Sequence, residues 1–472
     1  MIQGELTFRI QQAMGLEPTR EQLLAMTMFG EFLTDRSDHV VMIMRGSAGT
    51  GKTTLAGAIV KAMVSLHQKL VLMAPTGRAA KVFALNAGHQ ANTIHRRIYR
   101  QKTAADLSAF NLNNNLNQDT LFMVDEASMI SNDGFGDANF GSGCLLDDLM
   151  QYVYSNRNCR LMLIGDTAQL PPVGAEESPA LMRQVLSAYG MKVYEADLTE
   201  VLRQSQDSGI LWNATRIRAL IQHDDVTQLP LIRFTGFADI KSVPGNELIE
   251  QLATSYQQCG MDDTIVITRS NKRANIYNQG IRNMVLDREE QLCTGDMLMV
   301  VKNKYLSDGS FIANGDHAEV RRVRHYRDFY GFHFADITLS FPDYDHRELD
   351  FVVILDTLTS EAPALTREQQ EQLYNGVMED YADVPLKTDR VKKLKEDAYY
   401  NALQVKFAYA VTCHKAQGGQ WSDVYVDQGY MTDEMLSADY IHWLYTAFTR
   451  ATRNLYLVNW PKTQIDQTPA KA

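Results

Sequence analysis

The sequence predicts an α/β protein of two parallel-sheet domains, the second interrupted by a small β-barrel and a helical insertion. Three observations carry this prediction. Short apolar runs alternate with helical stretches through the first 175 residues. A second set of such runs begins near Thr264 and is split by a long interval. The interval itself is aromatic, β-branched and rich in turn residues. A chain of 472 residues exceeds one ordinary core, and at roughly 150 residues per domain it suggests two to four units.

The first set is VVMIMRG (Val40 to Gly46), KLVLMAP (Lys69 to Pro75), TLFMVDE (Thr120 to Glu126) and RLMLIGD (Arg160 to Asp166). Runs that are apolar at every position, not at alternate ones, mark strands covered on both faces, as in a doubly wound sheet. Ligands of such sheets sit at the carboxyl ends of the strands. The second set is TIVITRS (Thr264 to Ser270), VYVDQ (Val424 to Gln428) and NLYLVNW (Asn454 to Trp460). Between them, GDMLMV, FIANGDHAEVRRV, FHFADITLSF and DFVVILDTL read as barrel strands, with Asn314-Gly315 as a hairpin signal. From Thr366 to Tyr400 the pattern is helical, opening on a capping box at Thr366 and Gln369 and broken near Pro385. The expected boundaries are 1–175 for the first domain, with a short insert over 96–120, then 176–287 with 401–472 for the second, and 288–400 for the insertion. Asn111 to Gln118 and Ser131 to Gly143 read as mobile loops, and the tail after Pro461 as disordered.

The composition, 45% hydrophobic and 22% charged, is that of a globular protein. No apolar run of about eighteen residues is present, and the first residues lack the order of a signal peptide, so the expected location is cytoplasmic, without a membrane partner. Five scattered cysteines, without zinc spacing, read as reduced thiols. The net charge of −11 argues against a surface coated in nucleic acid but leaves room for one basic groove. The runs Arg96 to Lys102, Arg321 to Arg327 and Lys387 to Lys395 read first as solvated faces.

The chemistry starts at GSAGTGKTT, which fits G-x-x-x-x-G-K-[ST] between a strand and a helix. Gly46, Gly49 and Gly51 would shape a phosphate cradle of backbone N–H groups continuing through Thr54. Lys52 would reach the β and γ oxygens and Thr53 would ligate Mg²⁺. In MVDEAS, Asp125 would hold the same metal and Glu126 would polarise the attacking water. A kinase has no use for that glutamate, so the pair favours hydrolysis. A cation is still needed for the charge developing on the γ-phosphate, and Arg203 and Arg450 are the candidates.

Read in order, EPTREQ, GSAGTGKTT, APTGRAAKV, TIHR, VDEAS, GDTAQLPPVG, LTEVLRQ, VTCHKAQGGQWSDVYVD and YTAFTRATR resemble the motif series of superfamily 1 DNA helicases, nearest to the 5′→3′ RecD-like and Dda-like group. The resemblance runs from about residue 17 to 460. It implies two RecA-like P-loop domains and an ATP-dependent 5′→3′ DNA helicase using ATP and Mg²⁺. Gln22 would read the adenine edge, while Asp166 and Gln169 would sense the γ-phosphate. Thr76, Arg78, Thr93 and His95 would line a single-strand groove in the first domain. Thr412, His414 and Lys415 would continue that groove in the second domain, where Gln417 and Gly418 link it to the nucleotide. Such hydroxyl, imidazole and N–H groups make sequence-independent phosphate contacts. For Thr76 and Thr93 a helix cap is an equal reading. The implied partners are single-stranded DNA, single-strand/duplex junctions, and single-strand-binding or replication, repair and recombination proteins, for a monomeric motor. The strand-splitting pin falls between Arg96 and Thr120, where Tyr99 and Phe110 are the aromatics and a packed loop competes with a wedge. Gln420 stands where an acidic residue is expected of many relatives.

Three alternatives stay open: a translocase that separates duplexes poorly, an ATPase subunit of a recombination or repair complex, and a P-loop enzyme independent of nucleic acid.

Overall fold

Strands form where the apolar runs lie. The computed structural model describes residues 2–103, 106–132, 140–201, 207–223, 227–306 and 311–467. In chain order the first domain contains β1 (Val40–Gly46), β2 (Lys69–Ala74), β3 (Ala91–Thr93), β4 (Tyr99–Thr103), β5 (Asp106–Leu112), β6 (Thr120–Val124), β7 (Arg160–Gly165) and β8 (Lys192–Leu198). Six of these form a parallel sheet in the order β3-β2-β6-β7-β1-β8, and β4 with β5 forms a hairpin. Alternate residues of one strand enter opposite cores. Met42 and Met44 of β1 meet Leu55, Ile59 and Phe29, whereas Val41 and Ile43 meet Leu146, Leu149 and Val153. Helices on both faces therefore account for the continuous apolar runs. The edge strand β8 lies beyond the expected boundary at 175: its pairing with β1 assigns Lys192 to Leu198 to the first sheet.

The chain then passes through β9 (Ile240–Val243), β10 (Thr264–Thr268), β11 (Met297–Val300), the short pair β12 (Lys304–Tyr305) and β13 (Phe311–Ile312), β14 (His317–Phe329), β15 (Phe332–Phe341), β16 (Arg347–Ile354) and β17 (Leu403–Phe407). It returns through β18 (Ala410–Thr412), β19 (Trp421–Asp427) and β20 (Ala451–Val458). The second RecA-like sheet is parallel in the order β18-β10-β19-β20-β9. Strands β11, β14, β15, β16 and β17 close into a barrel. Its closing strand, β17, comes from sequence placed in the second domain. Leu403 pairs with Val353 and Phe407 with Leu298, so the barrel ends past residue 400.

The tight turn of the barrel is Tyr330-Gly331, both at positive φ and flanked by the Phe329/Phe332 pair. Asn314-Gly315, expected as the hairpin, instead turns the chain between β13 and β14, which do not pair. The helix Arg367–Asp380 begins with the full Thr366/Gln369 capping box, and a second helix follows at Lys387–Glu396. Leu373, Val377 and Leu394 pack both helices onto Phe332, Phe334 and Ile354 of the barrel.

Two segments read as loose are ordered by polar contacts. Asn115 is buried, donates to the Val153 carbonyl at 3.1 Å and accepts from the Asn117 N–H at 3.0 Å. The tail is pinned as far as Asp466 by two backbone bonds to Ile232, whose N–H donates to the Gln464 carbonyl and whose carbonyl accepts from the Asp466 N–H, both at 2.9 Å. In the β4/β5 hairpin, Tyr99 and Phe110 both lie against Phe140, with ring centroids 5.0 and 5.1 Å apart, and Tyr99 donates to Asp148 at 2.7 Å. Residues 133–139 of the glycine-rich segment lie outside the described residues. Arginines of the 321–327 run are paired with Glu319, Asp350 and Asp336, as a solvated face would be. Among the described residues no helix is long and apolar enough to cross a membrane.

Asp316, just before β14, is buried, and burial pushes its carboxyl up to about 7, although Tyr344 and the Ala313 N–H donate to it. The folded state thus holds this proton where the unfolded chain, with an ordinary Asp, has lost it. Stability attributable to the group falls as pH rises from about 4 to about 7 and is flat above. Asp316→Asn is expected to remove this decline, giving a gain over the parent that grows through that window to a few kcal/mol. Urea melts at pH 5 and pH 8 check it, and equal gains at both would count against it.

Candidate nucleotide cleft and strand groove

The P-loop leaves β1 at Gly46, and its turn requires glycine at two points: Gly49 and Gly51 have φ of 79° and 75°. The helix Lys52–Ser65 then starts without a side-chain cap, which leaves its N-terminal N–H groups available to an anion. Lys52 folds back to the Gly46 carbonyl at 3.1 Å. Thr53 is half-buried in the first turn, and Thr54 beside it is exposed.

Facing this loop are Asp125 after β6 and Asp166 after β7, both buried. Burial raises the pKa of each; the neighbouring Glu126 adds to the effect at Asp125, and Lys52 opposes it at both. Glu126 is held at φ 53°, its N–H donating to Asp125 at 2.9 Å, and its buried Oε2 has no hydrogen-bond partner. Gln169 likewise carries a buried, unpartnered Oε1. Buried acceptors without donors are costly to leave so. Among the described residues no three His, Cys or carboxylate groups cluster to hold a metal by themselves, and Asp125 with Thr53 offers the one or two oxygen donors that suit a largely hydrated Mg²⁺.

The second domain closes over the P-loop. On the helix Ala438–Phe448, His442, Tyr445 and Thr446 share one face by their i, i+3, i+4 spacing. Tyr445 accepts from the Ala48 N–H at 2.9 Å and donates to Asp166 at 2.7 Å. Thr446 accepts from the Leu170 N–H at 2.8 Å, and the His442 ring lies 2.9 Å from the Ala168 carbonyl. On the helix Gly209–Gln222, Arg218 hydrogen-bonds the Ser47 hydroxyl. Neither Tyr445 nor Arg218 is singled out by the sequence. Tyr445 sits inside a recognised motif, whereas nothing local distinguishes Arg218 from its neighbours.

Gln22 is fully buried, its Nε2 donating to the Thr50 carbonyl and its Oε1 accepting from the Thr19 N–H, both at 3.0 Å. These two bonds brace the P-loop from the helix Arg20–Thr34. Arg450 is buried with its donors on Thr446 O, Gly419 O and Thr449 Oγ1, so it serves its own domain in this structure and does not touch the P-loop. Arg203 lies outside the described residues. Gly418 is on the strand side of the cleft: a Cβ there would lie 3.0 Å from Ala79 Cβ and 3.1 Å from Thr76 Oγ1. The link to the nucleotide side is its neighbour Gln417, which donates to the Leu170 carbonyl at 2.6 Å.

The candidate strand residues gather at the β2/β3 end of the first sheet and after β18 in the second. Thr76 and Thr93 are N-caps, accepting from Ala79 N and Arg96 N, and each keeps its hydroxyl proton to donate. His95 packs against Tyr99 and Phe140, and burial lowers its pKa to about 4, so it offers an N–H and no charge. Thr412, His414 and Lys415 line one cavity with Arg269 and Asn271. Lys415 also reaches Asn314 of the barrel at 2.5 Å. Arg78 donates to the Gln420 carbonyl at 2.9 Å and lies over Trp421.

The chain matches the AAA domain family over residues 27–228 and the UvrD-like helicase C-terminal domain family over residues 407–458. It is 24% identical over 299 residues to the ATP-dependent DNA helicase Dda of Enterobacteria phage T4, covering 60% of each chain. It is 32% identical over 181 residues to the ATP-dependent RecD2 DNA helicase of Deinococcus radiodurans, covering 38% of this chain and 22% of that one. It therefore spans less than two thirds of the length of either relative. A solved structure of Pif1 helicase from Bacteroides in complex with ADP-AlF3 and ssDNA aligns at 16% identity with a TM-score of 0.47, covering 96% of this chain and 95% of that one.

Proposed function

We infer that the chain belongs with the superfamily 1 helicases of the RecD-like and Dda-like group, and from that premise we propose an ATP-dependent DNA helicase that moves 5′→3′ on single-stranded DNA and separates duplexes. The observation that carries this reading is the helix Ala438–Phe448, whose Tyr445 joins the P-loop and Asp166 of one domain to the body of the other. Phosphates entering the loop compete for the Ala48 N–H and for the space beside Asp166. Binding and turnover then change how the two domains meet. Thr76 and Thr93 ride on one domain and Thr412, His414 and Lys415 on the other, so such a change moves the halves of the strand groove past each other.

In this reading Gly46, Gly49, Gly51 and Thr54 shape the phosphate cradle, Lys52 holds the β and γ oxygens, and Gln169 senses the γ-phosphate. Thr53 and Asp125 would hold Mg²⁺, which would supply positive charge for the phosphates. Glu126 orients the attacking water and takes its proton. Arg218 is a second-domain guanidinium at the P-loop, alongside the motif candidates Arg203 and Arg450. The partners proposed are single-stranded DNA and its junctions with duplex, and proteins of replication, repair or recombination, for a cytoplasmic monomer.

A second reading, a DNA-dependent ATPase or translocase subunit of a repair or recombination complex with little unwinding alone, is favoured by one observation. Tyr99 and Phe110 of the β4/β5 hairpin are consumed in packing against Phe140, which leaves neither to wedge a base pair. Two partial duplexes, one 5′-tailed and one 3′-tailed, assayed with ATP turnover in the same wells, separate the readings. Opening of the 5′-tailed duplex alone is expected. DNA-stimulated turnover with neither opened moves the assignment to the second reading, and turnover indifferent to DNA overturns both.

A further inference from the structure

Where the first domain, the barrel and the second domain meet there is a cavity of about 160 Å³, lined by Thr76, Arg78, Asn314, His317, Lys415 and Trp421 among others. Its wall is the indole of Trp421, the first residue of β19. One side of this ring packs on the backbone of Gly419, where a Cβ would lie only 2.3 Å from Trp421 Cη2. The Arg78 guanidinium, supplied by the other domain, lies 4.2 Å from the ring centroid. Trp421 is 2% exposed with that cover in place. At its edge stands His317 of β14, ring centroids 6.4 Å apart and planes at 77°. His317 is 7% exposed, and neither ring nitrogen has a hydrogen-bond partner.

We propose that this junction is a base pocket: an unpaired nucleobase of the single strand stacks on Trp421 in place of the Arg78 guanidinium and meets His317 with its polar edge. The proposal rests on the motor reading above and adds to it a base-contacting site. Three features favour a base over a phosphate. A planar aromatic surface with a removable cationic cover suits a ring, because every base has a π-face. The nearby cations each already hold a protein acceptor, Arg78 the Gln420 carbonyl and Lys415 the Asn314 side chain. Burial lowers the His317 pKa to about 4, so it presents one donor and one acceptor, the complement of a base edge, and no charge. Because the cover comes from the first domain and the indole from the second, a shift of the domains would uncover the ring. This places base stacking under the control of the cleft.

The test uses the full chain, a labelled oligo-dT read by anisotropy, and the same oligonucleotide carrying a single 2-aminopurine at successive positions. For the parent, one position is expected to be quenched by the indole. Trp421→Ala is expected to weaken binding about tenfold with the salt slope unchanged, since no phosphate contact is lost. Trp421→Phe keeps a ring in the core and is expected to retain most of the affinity while losing much of the quenching. Arg78→Gln is expected to tighten binding by uncovering the ring. Lower affinity in that variant with a salt slope reduced by about one contact would mark Arg78 as a phosphate ligand and overturn the displacement. No quenched position in the parent, or a folded Trp421→Ala that binds as the parent does, overturns the pocket alone. A parent that binds no single strand overturns the motor reading and the pocket with it.

Discussion

Glu126→Gln is expected to bind ATP and single-stranded DNA as the parent does while turning over about 10²- to 10⁴-fold more slowly, the range for loss of a positioned general base. The amide keeps the shape of the side chain but cannot take a proton from water. Glu126 is held in a left-handed backbone conformation directly after β6, and its buried Oε2 is left without a partner. Its charge also helps to raise the pKa of Asp125. Removing that charge relieves a like-charge contact, so the same variant should melt at a higher temperature than the parent. Steady-state kcat and a thermal melt test both halves. A kcat within tenfold of the parent would remove Glu126 as the base, whatever the melt shows.

Lys52→Ala is expected to lower turnover by about 10³ or more, at the upper end of what one charge-stabilising donor contributes and beyond it for a full cation. The side chain now rests on the Gly46 carbonyl, an internal partner that a phosphate oxygen would displace. Its charge opposes the upward pKa shifts of both Asp125 and Asp166. Without it, two buried carboxyls hold their protons more tightly and the cleft loses its attraction for a triphosphate. Turnover at the parental rate under saturating DNA would overturn the P-loop assignment.

The features legible in the amino-acid sequence are local ones. The glycines of the P-loop are legible because a turn at φ near 75° admits few other residues. The Thr366/Gln369 box is legible because a cap involves neighbours three residues apart. Continuous apolar runs identified β1, β2, β6 and β7, because the middle of a strand covered on both faces favours apolar residues at consecutive positions. The Asp125/Glu126 pair followed, since the end of such a strand is where charge meets the ligand.

Tertiary structure decided the rest, for one physical reason: these features depend on which distant surfaces come together. Strand β8 joins the first sheet because its backbone pairs with β1, which its boundary residues do not announce. The barrel closes with β17 because Leu403 meets Val353 across an intervening helical hairpin. Gln22, Arg450 and Arg78 carry the residue types that the chemistry asks for, yet their hydrogen bonds go to Thr50, Gly419 and Gln420, because a long polar side chain takes the acceptors packing places within reach. Tyr445, Arg218 and Trp421 gain their importance from the opposite domain. By itself the sequence determined the P-loop turn and the classes of the elements around it. Only the folded chain decided which side chains cross the cleft, since a contact between domains depends on two surfaces and neither is encoded in the other's local pattern.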